Sequence, residues 1–116
     1  MASNEILDVN GLRRQVRNDI EFLAEQLDFF RQYYPNQLRE INESIARDDA
    51  TQLREWAHQL SGSLSSFHAT DSRETARAIE TCGRESRVAD AVGLAPKLEQ
   101  EIVELCDFVE ALIPTL

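Results

Sequence analysis

His58 and His68 are the chain's two histidines, and the residues around the first are unusual for a helix. From Leu60 the chain reads Leu-Ser-Gly-Ser-Leu-Ser-Ser-Phe, while the apolar spacing stays in phase through Leu64 and Phe67. A glycine inside a helix costs about 1 kcal/mol relative to alanine. Serines add to the cost because their hydroxyls compete for the backbone. Either 61–66 is a flexible loop or the helix continues; the preserved spacing favours the helix. In a helix, residues three and four apart share a face, so His58 stands beside Ser61 and Gly62, with Ser65 beyond and Arg54 one turn before. That face carries nothing larger than serine after the histidine, so another protein's surface can reach the imidazole. Stability alone would place Ala, Glu or Lys there. The plainer reading is a surface histidine near serines by chance.

An imidazole near its ordinary pKa of about 6.5 is a competent nucleophile at neutral pH. Other chemistries fit poorly. Glu55 and His58 form one Glu-x-x-His, whereas a carboxylate-bridged di-iron bundle needs two, and His68 has Ser65 at the corresponding position. No metal site is therefore expected. A Gly-x-Ser-x-Gly turn on a strand–helix scaffold is missing, as is a glycine-rich phosphate loop. What remains is an exposed nucleophile with no substrate pocket, whose reaction partner must come from another protein.

The elements that hold this face are helical. Four glycines and three prolines punctuate 116 residues, and apolar residues recur at helical rather than alternating spacing. Leu12, Val16, Ile20, Leu23, Leu27, Phe30 and Tyr34 form one stripe, on a single helix or a coupled pair broken near Asn18-Asp19. Tyr34-Pro35-Asn36 is expected to end it, because the residue before proline avoids the helical region. Leu38, Ile41 and Ile45 then mark a shorter helix. Asp49 with Gln52 reads as a capping box opening a helix with Leu53, Trp56, Ala57, Leu60, Leu64 and Phe67 on its buried side. Asp71 with Glu74 reads as a second box, opening a helix with Ala76 and Ile79 and with Gly83 as its stop. The last stripe runs Val88, Val92, Ala95, Leu98, Ile102, Leu105, Val109 and Leu112. Pro96 either kinks that helix or opens its main part. Short connections make antiparallel neighbours, so residues 1–116 are expected to be one all-α domain. The expected architecture is an up-and-down antiparallel four-helix bundle with an additional short N-terminal helix.

Composition removes further classes. The chain has 21 acidic against 12 basic residues, a net charge of −9, which opposes binding to nucleic acid or anionic lipid. No apolar run approaches the roughly 18 residues of a membrane span, and the first residues lack the pattern of a secretory signal. Cys82 and Cys106 show no CxxC pairing and sit in periodic segments, as buried thiols of a cytoplasmic protein do. No linker or internal repeat is evident.

The segment Ala57-His58-Gln59-Leu60-Ser61-Gly62-Ser63-Leu64-Ser65-Ser66-Phe67-His68-Ala69 resembles the signature of histidine-containing phosphotransfer (HPt) domains. That signature reads Ala-His-x-Leu-Lys-Gly, four variable residues, an apolar residue, then Gly-Ala. Ala57, His58, Leu60, Gly62, Phe67 and Ala69 match it. The likeness extends to a Phe- and Leu-rich helix ending in Tyr34-Pro35 before the motif and to Ile79-Glu80 after it.

The resemblance implies a phosphocarrier rather than an enzyme. His58 would take a phosphoryl group from the aspartate of one receiver domain and pass it to another. The partners implied are receiver domains of hybrid sensor kinases and response regulators, met by a monomeric, cytoplasmic protein. No nucleotide site, autophosphorylation or cofactor of its own is implied; the receiver supplies Mg²⁺. That division suits phosphoryl transfer, where catalysis is mostly positioning and charge neutralisation. Glu80 matches a family position that bonds Nδ1 of the phosphoacceptor, leaving Nε2 free. Docking is assigned to Arg54, Gln59, Ser61, Gly62 and Ser65, with Leu64 and Phe67 left to the core. Two departures stand out: the family's lysine near the phosphoryl oxygens is Ser61, and its glycine is His68. The lost lysine motivates an alternative, a degenerate docking module that binds receivers without efficient transfer. A third reading is a purely structural helical interaction protein.

Overall fold

The computed structural model describes residues 6–17 and 19–116. Helix α1 spans Val9–Val16, α2 Ile20–Ala46, α3 Ala50–Ser65, α4 Asp71–Arg84 and α5 Leu94–Leu112. Short 3₁₀ turns at Val88–Ala91 and Ile113–Thr115 flank α5. Among the described residues there is no strand, only an isolated antiparallel bridge between Leu7 and Ala69. Helix α2 packs on α3, α3 on α4, α4 on α5, and α5 back on α2, so the four long helices close an up-and-down ring. Inside it lie Leu27, Phe30 and Ile41 of α2, Leu53, Leu60 and Leu64 of α3, Ile79 of α4, and Ile102 and Leu105 of α5.

Capping aspartates start three of these helices. Asp8, Asp19 and Asp49 accept hydrogen bonds from the backbone N–H of Gly11, Phe22 and Gln52 at 3.0, 3.1 and 3.1 Å. Each satisfies a donor that the first turn would otherwise leave unpaired. Asp49→Ala is expected to lower unfolding stability by about 1 kcal/mol in urea titrations, without altering the end-state helical signal.

Three expectations about helix boundaries are corrected. Pro35 does not end a helix: α2 continues through it to Ala46, 27 residues in all. Proline inside a helix costs about 3 kcal/mol, since it deprives the carbonyl of Arg31 of its donor. Pro35 is exposed, so water can reach that side of the helix. Keeping the helix intact buries Leu38 and Ile41, each contributing about 1.5–3 kcal/mol, and packing outweighs the local preference. Asp71 is the first helical residue of α4 rather than its cap; Thr70 holds the cap position. Gly83 is not the stop either, because α4 runs on to Arg84.

Pro96 stands in the first turn of α5, where its missing N–H is tolerated. Val92 falls outside the buried stripe, lying between the 3₁₀ turn and α5 and 58% exposed. Both cysteines are free and buried, and burial pushes both thiols up from their ordinary pKa.

The segment before α1 ties down the turn between α3 and α4. Asp8 N–H donates to the carbonyl of His68 at 2.8 Å, and Thr70 N–H donates to that of Ile6 at 3.0 Å. His68 has φ 55°, a left-handed conformation that explains why glycine suits this position. Its Nε2 lies 2.7 Å from Gln15 Oε1, and Gln15 Nε2 donates to the carbonyl of Ser66 at 3.1 Å. His68 thus fastens α1 to the turn.

Candidate functional site

Helix α3 continues unbroken through the serine–glycine run, so the loop reading of 61–66 does not hold. Its serines turn inward on the helix: Ser65 Oγ donates to the carbonyl of Ser61 at 3.1 Å, and Ser63 Oγ to that of Gln59 at 3.4 Å. Arg54, His58 and Gly62 therefore recur along one solvent-facing line, with Gln59 also exposed. A Cβ built on Gly62 would meet nothing within 4 Å beyond the backbone of its own stretch of helix. The helix has no packing need for glycine there, which leaves an open approach one turn from the imidazole.

The His58 side chain is 75% exposed, and its Nδ1 lies 3.1 Å from Oε2 of Glu80, which reaches across from α4 and is 15% exposed. A carboxylate has no hydrogen to give, so this bond places the hydrogen on Nδ1. The Nε2 lone pair then points into solvent, free to attack. Arg84, one turn after Glu80, donates from Nη2 to the same Oε2 at 3.4 Å. Thr51, Arg54, Glu55 and Gln59 complete the rim of a shallow depression around this pair. Among the described residues, Arg54 enters no ion pair, and no three His, Cys, Asp or Glu side chains cluster as a metal site.

A family model, the Hpt domain, matches residues 12–111. The chain belongs to the Hpt domain family. Hpt domains are phosphocarriers that interact with receiver domains in two-component systems. The fold also matches a crystal structure of histidine-containing phosphotransfer protein B (HptB) from Pseudomonas aeruginosa PAO1. The TM-score is 0.85 at 21% identity, covering 95% of this chain and 96% of that one. No curated protein matches at a significant level. No helix among the described residues of this Hpt domain is long and apolar enough to cross a membrane.

The site residues expected from sequence are thus divided. His58, Glu80, Arg54, Gln59 and Gly62 come together on the α3–α4 face, with Ser65 half-buried beside them. Ser61 does not join them: it is 6% exposed and turned into the bundle, so it is withdrawn from the docking surface. Its hydroxyl therefore adds no donor to the exposed face around His58.

Sequence reading missed a second stripe. Phe22, Phe29 and Tyr33 of α2 are 59%, 61% and 54% exposed, and the rings of Phe29 and Tyr33 stack with centroids 4.3 Å apart. With Gln26 they repeat at helical spacing beside the buried stripe of Leu23, Leu27, Phe30 and Tyr34. Phe29 and Tyr33 line a groove whose other wall is Ser63 of α3 and its C-cap residue Ser66. The groove thus lies against the C-terminal end of the helix that carries His58. The signal was present as aromatics at 22, 29 and 33 in phase with each other, but a single buried stripe had accounted for the helix.

Proposed function

We propose that the chain is a phosphorelay intermediate, accepting a phosphoryl group on His58 and passing it to a second receiver domain. The observation that carries this reading is the exposed imidazole whose Nδ1 is held by Glu80, with the uncluttered Gly62 surface beside it. Nε2 attacks phosphorus of the receiver's aspartyl phosphate; the N–P bond forms as the P–O bond to the aspartate breaks, and the carboxylate leaves with the bonding pair. Nδ1 keeps its hydrogen, and Glu80 offsets the positive charge that grows on the ring. The receiver brings Mg²⁺ to neutralise the phosphoryl oxygens, so this chain needs no cofactor of its own. The receivers are those of hybrid sensor kinases and response regulators, met in the cytoplasm by a monomer. Phe29 and Tyr33 supply the apolar contact area for docking, and Arg54 supplies a cation near the transferring group.

Mixing the protein with a phosphorylated receiver carrying a labelled phosphoryl group tests this directly. Acid-labile, alkali-stable label is expected on the wild type and none on His58→Ala. Receiver binding without label would support the degenerate docking module. Neither binding nor label would leave only a structural role.

A further inference from the structure

Gly83 lies within α4, where it neither ends the helix nor adopts a conformation that demands glycine. Its reason is a contact. A Cβ built there would stand 2.7 Å from the backbone N of Arg54, 2.8 Å from the carbonyl oxygen of Ala50 and 2.9 Å from Arg54 Cα. All three are main-chain atoms of α3, which cannot rotate aside as a side-chain end can. Helix α4 therefore lies closer to α3 at this rung than any residue with a side chain permits.

The next rung of the same seam is the functional one. The two helices run antiparallel, so a turn forward from Arg54 is His58 and a turn back from Gly83 is Glu80. There Glu80 Oε2 and His58 Nδ1 meet at 3.1 Å. An outward shift of α4 by roughly an ångström would take that distance beyond hydrogen-bonding range. Arg84, already 3.4 Å from the same oxygen, would then retain the carboxylate on its own helix. We propose that Gly83 is a positioning residue for His58: its missing side chain sets the helix separation at which Glu80 fixes the imidazole with Nε2 bare. Its consequence for transfer rests on the phosphocarrier reading, but the hydrogen bond is measurable in unphosphorylated protein.

The test is ¹⁵N NMR of the His58 ring, at a pH where imidazole is neutral, on full-length protein. The wild type is expected to hold its hydrogen on Nδ1. Gly83→Ala is expected to move population toward the Nε2–H tautomer as far as Glu80→Ala does. Glu80→Asp, which shortens the reach while keeping Gly83, is expected to do the same. Leu105→Ala, a buried change on α5, should lower the melting temperature and leave the tautomer alone. Transfer from a phosphorylated receiver should fall about tenfold in Gly83→Ala, with no further fall when it is added to Glu80→Ala. A wild-type tautomer in Gly83→Ala or in Glu80→Asp overturns the proposal, as does an equal shift in Leu105→Ala. Should Gly83→Ala not fold, Glu80→Asp decides alone. Tautomer shifts as expected in a protein that takes no phosphate would defeat the phosphocarrier reading and leave the positioning role standing.

Discussion

Gly62→Leu is expected to reduce phosphoryl transfer from a receiver at least a hundredfold while making the protein more stable. The two halves come from the same geometry. A Cβ at residue 62 projects into open space, with nothing within 4 Å beyond the backbone of its own stretch of helix, so the fold has no packing to lose. Leucine in a helix interior is better than glycine by a little under about 1 kcal/mol, and the melting temperature should rise. The same side chain projects one turn from His58, into the space a receiver's aspartate pocket must enter. Phosphoryl transfer depends on placing donor and acceptor in line at close range, and a small misplacement costs about a hundredfold. Gly62→Ala should be the graded case: as stable as leucine or more, with transfer reduced only severalfold. Rapid-quench transfer kinetics beside thermal melts would settle it. Transfer by Gly62→Leu at the wild-type rate would mean that receivers do not approach along this line.

This inverse relation between stability and activity also explains why the site was legible from residue types. Gly62 and its serines violate helix propensity where the apolar spacing shows no structural reason to do so, and such local conflicts mark functional positions. Asp49 with Gln52 was legible for the opposite reason, since a cap acts within one turn of chain and its signal is contained in four residues. Gly83 was not. The atoms that require it belong to Ala50 and Arg54, about thirty positions away, and no local pattern separates a glycine that stops a helix from one that admits a neighbour. Pro35 misled for a related reason: its local cost was read correctly, but the buried residues on either side that outweigh it count only once α5 and α3 are in place. Ser61 shows the limit of face arguments. A residue three after His58 is near it along the helix yet about 60° around it, and here that rotation is enough to turn it into the core. With Ser61 buried and uncharged, Arg54 is the cation on the His58 line.

The aromatic stripe supports the second large effect. Phe29→Ala with Tyr33→Ala is expected to weaken transfer from a phosphorylated receiver about a hundredfold, through KM and with kcat nearly unchanged. Large exposed aromatics beside a functional face are where binding energy concentrates, each worth about 2 kcal/mol or more when buried at the centre of an interface, though such losses are not additive. A stacked pair on one helix face is also rigid and gives up little entropy on docking. The bundle itself should tolerate both changes, because neither ring contributes to the buried core and the tilted Phe30–Phe67 contact beneath them stays intact. A small phosphodonor separates docking from chemistry. Phosphoramidate needs no protein surface to reach Nε2, so it should phosphorylate His58 in the double variant as fast as in the wild type. If the double variant lost both reactions equally, the stripe would be acting on the imidazole itself. If it lost neither, receivers would have to bind through the Arg54–Gln59 side alone, an area without a large exposed apolar side chain, where charge rather than apolar burial would have to hold the complex and added salt would weaken it steeply.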